Sequence, residues 1–315
     1  VVVFEKSRGF GGRAATRRYD TGGVDHGAQY FTARDPRFKR AVNAWREAGV
    51  VEAWPARIGL AGQNGIAASP DDQVRFVAVP GMSSLGRHLA KGLDVRTQVH
   101  VDKPVRQDTA WLLHDQEARH LGRFDALLVA APAPQTAALM QLAAPEAAAV
   151  AAQVDYDPTW SALLQVSDDD PVGFDGLFVK TGPLAWAARN HSKPGRVGDF
   201  WTVHASPDWT REHIDLTAED AGRCLAEALA SLCGLPPSSV SLLGAHRWLY
   251  SLVPRPLDIG AAWYPDEQLA LCGDWCQGAR VEGAYLSGIA AAGRLMTDQY
   301  RRVVDGHNAA KRASD

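Results

Sequence analysis

The sequence predicts an α/β fold, and three stretches carry that prediction. Val1–Phe4 is a continuous apolar, β-branched run, the pattern of a strand buried on both faces of a parallel sheet. Phe124–Ala131 reads the same way. Gln268–Asp274 is a third such strand, ending in Gly-Asp ahead of an Ala-rich helix predicted from about residue 281 to 304. The first strand is followed by Glu5 and then by Ser7-Arg8-Gly9-Phe10-Gly11-Gly12-Arg13. An acid at a strand end suits ribose hydroxyls, closely spaced glycines admit a bulky anion, and an arginine fork suits a pyrophosphate. A Rossmann-like dinucleotide site is therefore expected.

The 315 residues suffice for one large or two medium domains. Net charge is −3, from 33 basic and 36 acidic residues, which argues against a nucleic-acid surface. No apolar run is long enough to span a membrane. Cys224, Cys233, Cys272 and Cys276 lack paired zinc-ligand spacing, so no metal is expected, and they read as reduced thiols of a cytoplasmic protein. Ten tryptophans imply either an aromatic-lined cavity or a well-filled core.

Element by element, Asp35-Pro36 caps a helix over 35–48 with Phe38, Val42 and Trp45 on one face. Residues 50–80 carry short strands. A helix begins near Ser83, with serine capping and Leu85 and Leu89 at helical spacing. Residues 93–122 read as a three-stranded meander, LDVRTQVHV, TAWLLHD and ARHLG. Residues 134–153 form a helix or helix pair. Strands follow at 160–166, 176–180, 184–189 and 199–204, then a turn at Ser206-Pro207-Asp208 and a helix over about 217–233. A strand ends at His246-Arg247-Trp248-Leu249-Tyr250-Ser251.

The stretch FEKSRGFGGRAAT resembles the second βα segment of FAD-dependent oxidoreductases of the amine oxidase superfamily. DHGAQYFT (25–32), WAARNHSKPGR (186–196) and HRWLYS (246–251) resemble renalase-like members of it. The resemblance implies an amine-oxidase-type two-domain architecture. A discontinuous FAD-binding domain is expected at 1–34, 81–133 and 257–305, a mixed-sheet α+β substrate domain at 35–80 and 134–256, and a tail at 306–315. The first strand, G-x-G-x-x-G turn and helix of such a domain, roughly 30 residues, are expected ahead of Val1. Without them, a non-catalytic remnant or interaction protein is the competing reading for this chain.

The resemblance implies contacts to FAD from Glu5, Gly11, Gly12, Arg13, Gln29, Tyr30, Val99, Gly273, Asp274, Val281, Glu282, Gly283 and Ala284. The helix start at Val281–Ala284 is expected at the flavin pyrimidine edge, where its positive end stabilises charge on reduced flavin. His246, Tyr30, Trp186 and Asn190 are the candidate catalytic residues. Arg189, Arg247 and Arg255 are candidates for substrate phosphates. The implied reaction moves a hydride from a non-standard dihydro-NAD(P) isomer to flavin N5, with O2 as the second partner and H2O2 released. An amine oxidase or desaturase is the alternative; amine oxidases keep a lysine near N5, for which Lys180 and Lys193 are candidates.

Overall fold

The structure, a computed structural model, describes residues 1–167 and 172–312, the side chains of 302–312 excepted. The chain forms two compact units, one of Val1–Gln98 with Tyr156–Leu252, the other of Val99–Asp155 with Val253–Asp315.

The first unit is built on a sheet of seven strands among the described residues. Their order is Val240–Leu252, Asp157–Val166, Phe200–Ala205, Leu184–Arg189, Gly176–Val179, Ile58–Gly62 and Gly65–Ala68. All neighbours are antiparallel except Gly176–Val179 with Ile58–Gly62. Alternation along Asp157–Val166 divides the faces. Trp160, Ala162, Leu164 and Val166 pack against Ala221, Leu225 and Leu229 of the Ala218–Cys233 helix. Truncating Leu225 or Leu229 to alanine should cost about 2–5 kcal/mol. Thr217 caps that helix by accepting from the Asp220 N–H, and Gly234 ends it in the left-handed region at φ 66°. On the opposite face Leu163 and Phe200 meet Val24. That side is covered by the Gly22–Asp25 strand, which pairs with Thr16–Tyr19.

The Pro36–Glu47 helix forms as expected, with Asp35 accepting from the Arg37 N–H and Phe38, Val42 and Trp45 buried. The Ser83–Leu89 helix also forms, but Leu89 is exposed and no serine caps it. Instead, Asp25 Oδ1 accepts from the Met82 N–H at 2.9 Å and Thr16 Oγ1 from the Ser83 N–H at 3.2 Å. Two further expectations are corrected. Val2–Glu5 is not buried on both faces: among the described residues it has one strand neighbour, and Val3 is 37% exposed. That neighbour is Asp94–Thr97, parallel to it, so this stretch leaves the meander. A helix at Pro207–Glu212, with Ser206 accepting from the Trp209 N–H, replaces the predicted turn.

The second unit holds the meander, which runs Val101–Gln107, Ala110–Asp115 and His120–Phe124. Leu127–Val129, within the predicted 124–131 strand, lies parallel to Leu269–Leu271, with Ala262–Tyr264 antiparallel on the far side. The 134–153 segment forms two helices, Ala133–Met140 and Pro145–Ala151. The closing helix runs Val281–Arg312; the expected tail is thus helical through Arg312, and 313–315 lie outside the described residues.

Candidate functional site

The glycine-rich loop is shaped by backbone needs. Glu5, at the strand end, accepts from both the N–H and the hydroxyl of Ser7, at 2.7 and 2.6 Å. A Cβ on Gly11 would sit 2.9 Å from the Ala14 carbonyl oxygen, and Gly12 holds φ +50° with open space before it. Arg13 Nη1 donates to the Ser251 carbonyl at 3.2 Å, and its guanidinium lies 5.6 Å from the Tyr156 ring centre. A Cβ on Gly27 would fall 1.9 Å from the Arg13 carbonyl oxygen, so only glycine lets the DHGAQYFT segment lie against this loop.

Behind that segment lies a buried ionic network. Asp25 Oδ2 accepts from Arg196 Nη2 at 2.7 Å and lies 3.5 Å from Lys193 Nζ, and all three side chains are fully buried. Lys193 also donates to Gln29 Oε1 at 2.8 Å, and Gln29 Nε2 donates to the carbonyls of Asp25 and Gly27. Asn190 Oδ1 accepts from the Asp25 N–H, and its Nδ2 donates to the Gly23 carbonyl. Burial alone would raise the Asp25 carboxyl. Lys193, Arg196, the Met82 N–H and the Thr16 hydroxyl outweigh it and hold the carboxyl below its usual value. Burial lowers the Lys193 amine to about 8 against the pull of Asp25. Gln29 and Asn190, expected beside flavin and at the chemistry, thus spend their amides inside the protein. Asp25 and Arg196 were not anticipated.

A different surface lies on the sheet face beside this network. Tyr30 packs on Trp186 and Trp54 at ring separations of 5.4 and 6.1 Å, with the Arg75 guanidinium 5.1 Å from the Tyr30 ring centre. In strand register Trp186 stands opposite His204, His204 opposite Ser161, and Ser161 opposite His246. His26 meets His246 edge-on at 5.5 Å, and Trp248 donates to the His26 carbonyl at 2.9 Å. Burial lowers His26 and His204 to about 4, and burial with the charge of Arg17 lowers His246. The imidazoles of this wall are neutral near pH 7. Of the four candidate catalytic residues, Tyr30, Trp186 and His246 therefore gather on one face. His26, Ser161 and His204 complete the wall and were missed.

The two candidate phosphate arginines of the first unit are not gathered there. Arg247 follows His246 in the strand and projects to the opposite face, over Trp160, where it donates to the Ile214 carbonyl. Arg189 is buried, 3.6 Å from Asp175 and 3.1 Å from His191 Nε2. Arg255, in the second unit, is exposed.

In the second unit, the Gly273 N–H donates to Ser287 Oγ at 3.0 Å, and buried Asp274 opens the Asp274–Gln277 turn. A Cβ on Gly283 would fall 2.0 Å from the Gly278 carbonyl oxygen, so the first turn of the long helix at Val281–Ala284 requires glycine there. Val99 is half-buried between strands. Burial pushes Cys272 up to about 11, and burial with the neighbouring Cys272 pushes Cys276 up to about 12, so neither thiol is a nucleophile. Among the described residues no cluster of His, Cys, Asp or Glu could hold a metal, and no helix is long and apolar enough to cross a membrane.

A family model described as flavin containing amine oxidoreductase matches residues 62–296, and one described as NAD(P)-binding Rossmann-like domain matches residues 1–45. The chain belongs to the flavin-containing amine oxidoreductase family. It is an FAD-dependent oxidoreductase with the α/β fold of that family. Cyclohexylamine oxidase from Brevibacterium oxydans IH-35A shares 10% identity at a TM-score of 0.72, covering 95% of this chain and 93% of that one. An oxidoreductase from Methanosarcina mazei shares 12% at 0.66, covering 93% and 94%. A fatty acid isomerase from P. acnes shares 10% at 0.65, covering 91% of each. At such identities these likenesses establish the fold alone, which the isomerase and the amine oxidase share.

Proposed function

We propose that this family member is a renalase-like oxidase that takes a hydride from a dihydronicotinamide nucleotide isomer reduced at a ring position other than C4. The observation that carries the reading is the meeting of the three renalase-like stretches in the first unit. Asp25 of the first binds Lys193 and Arg196 of the second, and Trp248 of the third holds the backbone of His26. When bound, FAD would supply the hydride acceptor and would pass the electron pair on to O2, giving H2O2. Around it, the chain's residues position rather than perform acid–base work. Tyr30 and Trp186, tilted 55° to one another, line an aromatic wall, and His246 and His26 stay neutral, which suits a hydride donor that needs placement above all. Within the first unit, the loop of Glu5, Gly11, Gly12 and Arg13 is proposed to hold the ribose and pyrophosphate of FAD. The open space before Gly12 fits such a group.

One observation favours amine oxidation instead: Lys193 is a buried amine, 5.7 Å from the Trp54 ring centre, of the kind the alternative requires. Anaerobic mixing of the purified flavoprotein with each donor class separates the two. Bleaching of the flavin by a dihydronicotinamide isomer, and not by primary amines, is the expected result. Bleaching by amines alone overturns the assignment.

A further inference from the structure

The row on the sheet face carries unspent polar atoms. Among the described residues, Trp186 Nε1, His204 Nε2 and Ser161 Oγ are all buried and have no hydrogen-bond partner. Trp186 is 7% exposed and Ser161 0%. His204 stands opposite Trp186 on one neighbouring strand and opposite Ser161 on the other, so the three side chains share one face, with the Cβ atoms of each opposed pair about 4.5–5.5 Å apart. Buried polar groups are nearly always satisfied, and three orphans side by side mark a place built to receive a hydrogen-bonding group. The His204 ring keeps a partly exposed edge although its Nε2 is buried, and Tyr30 and His246 at the row's flanks are also partly exposed.

The chemistry of the row restricts what fits. An indole N–H can only donate. The neutral His204 ring carries one proton; with it on Nδ1, the tautomer that the nearby His26 backbone favours, Nε2 is the acceptor. The ring is neutral near pH 7, and nearby Lys193 already donates to Gln29. The complement is thus an uncharged group with one acceptor and one donor on neighbouring atoms. A carboxamide has both. A carboxylate has no donor, and an ammonium has no acceptor for the indole.

We propose that Trp186 and His204, with Ser161 beside them, form a carboxamide-recognition site in which the indole N–H donates to the amide oxygen and the amide N–H donates to His204 Nε2. This rests on the dihydronicotinamide reading above and extends it by naming the part of the substrate that is read.

The test compares two probes on the flavin-loaded full chain: NAD+ and its 3-acetylpyridine counterpart, which keeps the carbonyl oxygen and lacks the amide donor. Calorimetry measures binding, and anaerobic flavin reduction follows the corresponding non-C4 dihydro isomers. The wild-type protein should favour the carboxamide about tenfold, the worth of one buried hydrogen bond. His204→Leu should erase that preference by weakening the carboxamide alone, and His204→Gln, which keeps an acceptor, should restore most of it. Trp186→Phe should weaken both probes by a similar factor, because both keep the carbonyl. Where His204→Leu does not retain flavin, His204→Phe serves the same comparison. A preference that survives loss of the His204 acceptor, or a His204→Leu effect equal on both probes, as a row holding only water would give, overturns the inference and leaves the substrate reading standing. Failure of every dihydronicotinamide isomer to reduce the wild-type flavin overturns both.

Discussion

Two polar regions lie side by side in the first unit and are built on opposite terms. Around Asp25 every group is engaged: two cations, a helix N–H, a hydroxyl and two amides converge within one buried network. Along the Trp186–His204–Ser161–His246 row the side chains are equally interior in part, yet three polar atoms have no protein partner. The first arrangement ties distant stretches of chain together, and its members are too committed to meet a ligand. The second keeps its hydrogen-bonding capacity available. The difference separates scaffold from site more sharply than burial does.

The contrast can be broken by substitution. Asp25→Asn leaves Lys193 and Arg196 buried without a countercharge and should cost about 3–5 kcal/mol, read as a fall in the urea midpoint at constant slope. The same carboxylate sets an acid limit. Its pKa is below the unfolded value of 3.8, so its contribution is fully present above that value and is lost as pH falls through the folded pKa. Lys193 acts with the other sign. Between about 8 and 10.5 the unfolded chain holds the proton that the folded chain has released, so stability relative to Lys193→Met should rise with pH across that window.

Smaller effects sharpen the comparison. His26 and His204 are neutral when folded down to about pH 4 and take up protons near 6.5 when unfolded. Denaturation midpoints should therefore decline from pH 6.5 to 4, and His204→Gln should flatten that decline. Thr202 Oγ1 donates to the Asp25 carbonyl at 2.7 Å, and Thr202→Val should cost about 1 kcal/mol. Ser161→Ala, one strand away, removes a hydroxyl with no partner and should change stability by less than about 0.5 kcal/mol. If Ser161→Ala proves as costly as Thr202→Val, the row is scaffold after all.

Much of the fold was readable because its signals are local. The Asp35-Pro36 cap, the alternation of WSALLQV and the Gly234 stop each act within a few residues. Ser206-Pro207 suits a turn and a helix start equally well in sequence, and the structure uses it as a helix cap and first residue. The site was less legible. Asp25 meets Arg196 across 171 positions, and nothing beside it in the sequence announces a partner. His204 acquires meaning only through register, from Trp186 on one side and Ser161 on the other. The separation of His246 from Arg247 was visible in advance, since neighbours in a strand point to opposite faces. Val2–Glu5 reads as a doubly buried strand by composition, but exposure depends on neighbours that composition does not reveal.

The chain order of the sheet has a consequence for how the protein is made. Ile58–Gly62 pairs in parallel with Gly176–Val179, and the Val99–Asp155 stretch of the other unit is threaded between them. On the ribosome, the early hairpin must therefore wait for more than a hundred further residues before its partner emerges. Neither half of the polypeptide, separated anywhere in that interval, contains the whole sheet, so fragments should regain structure only when mixed.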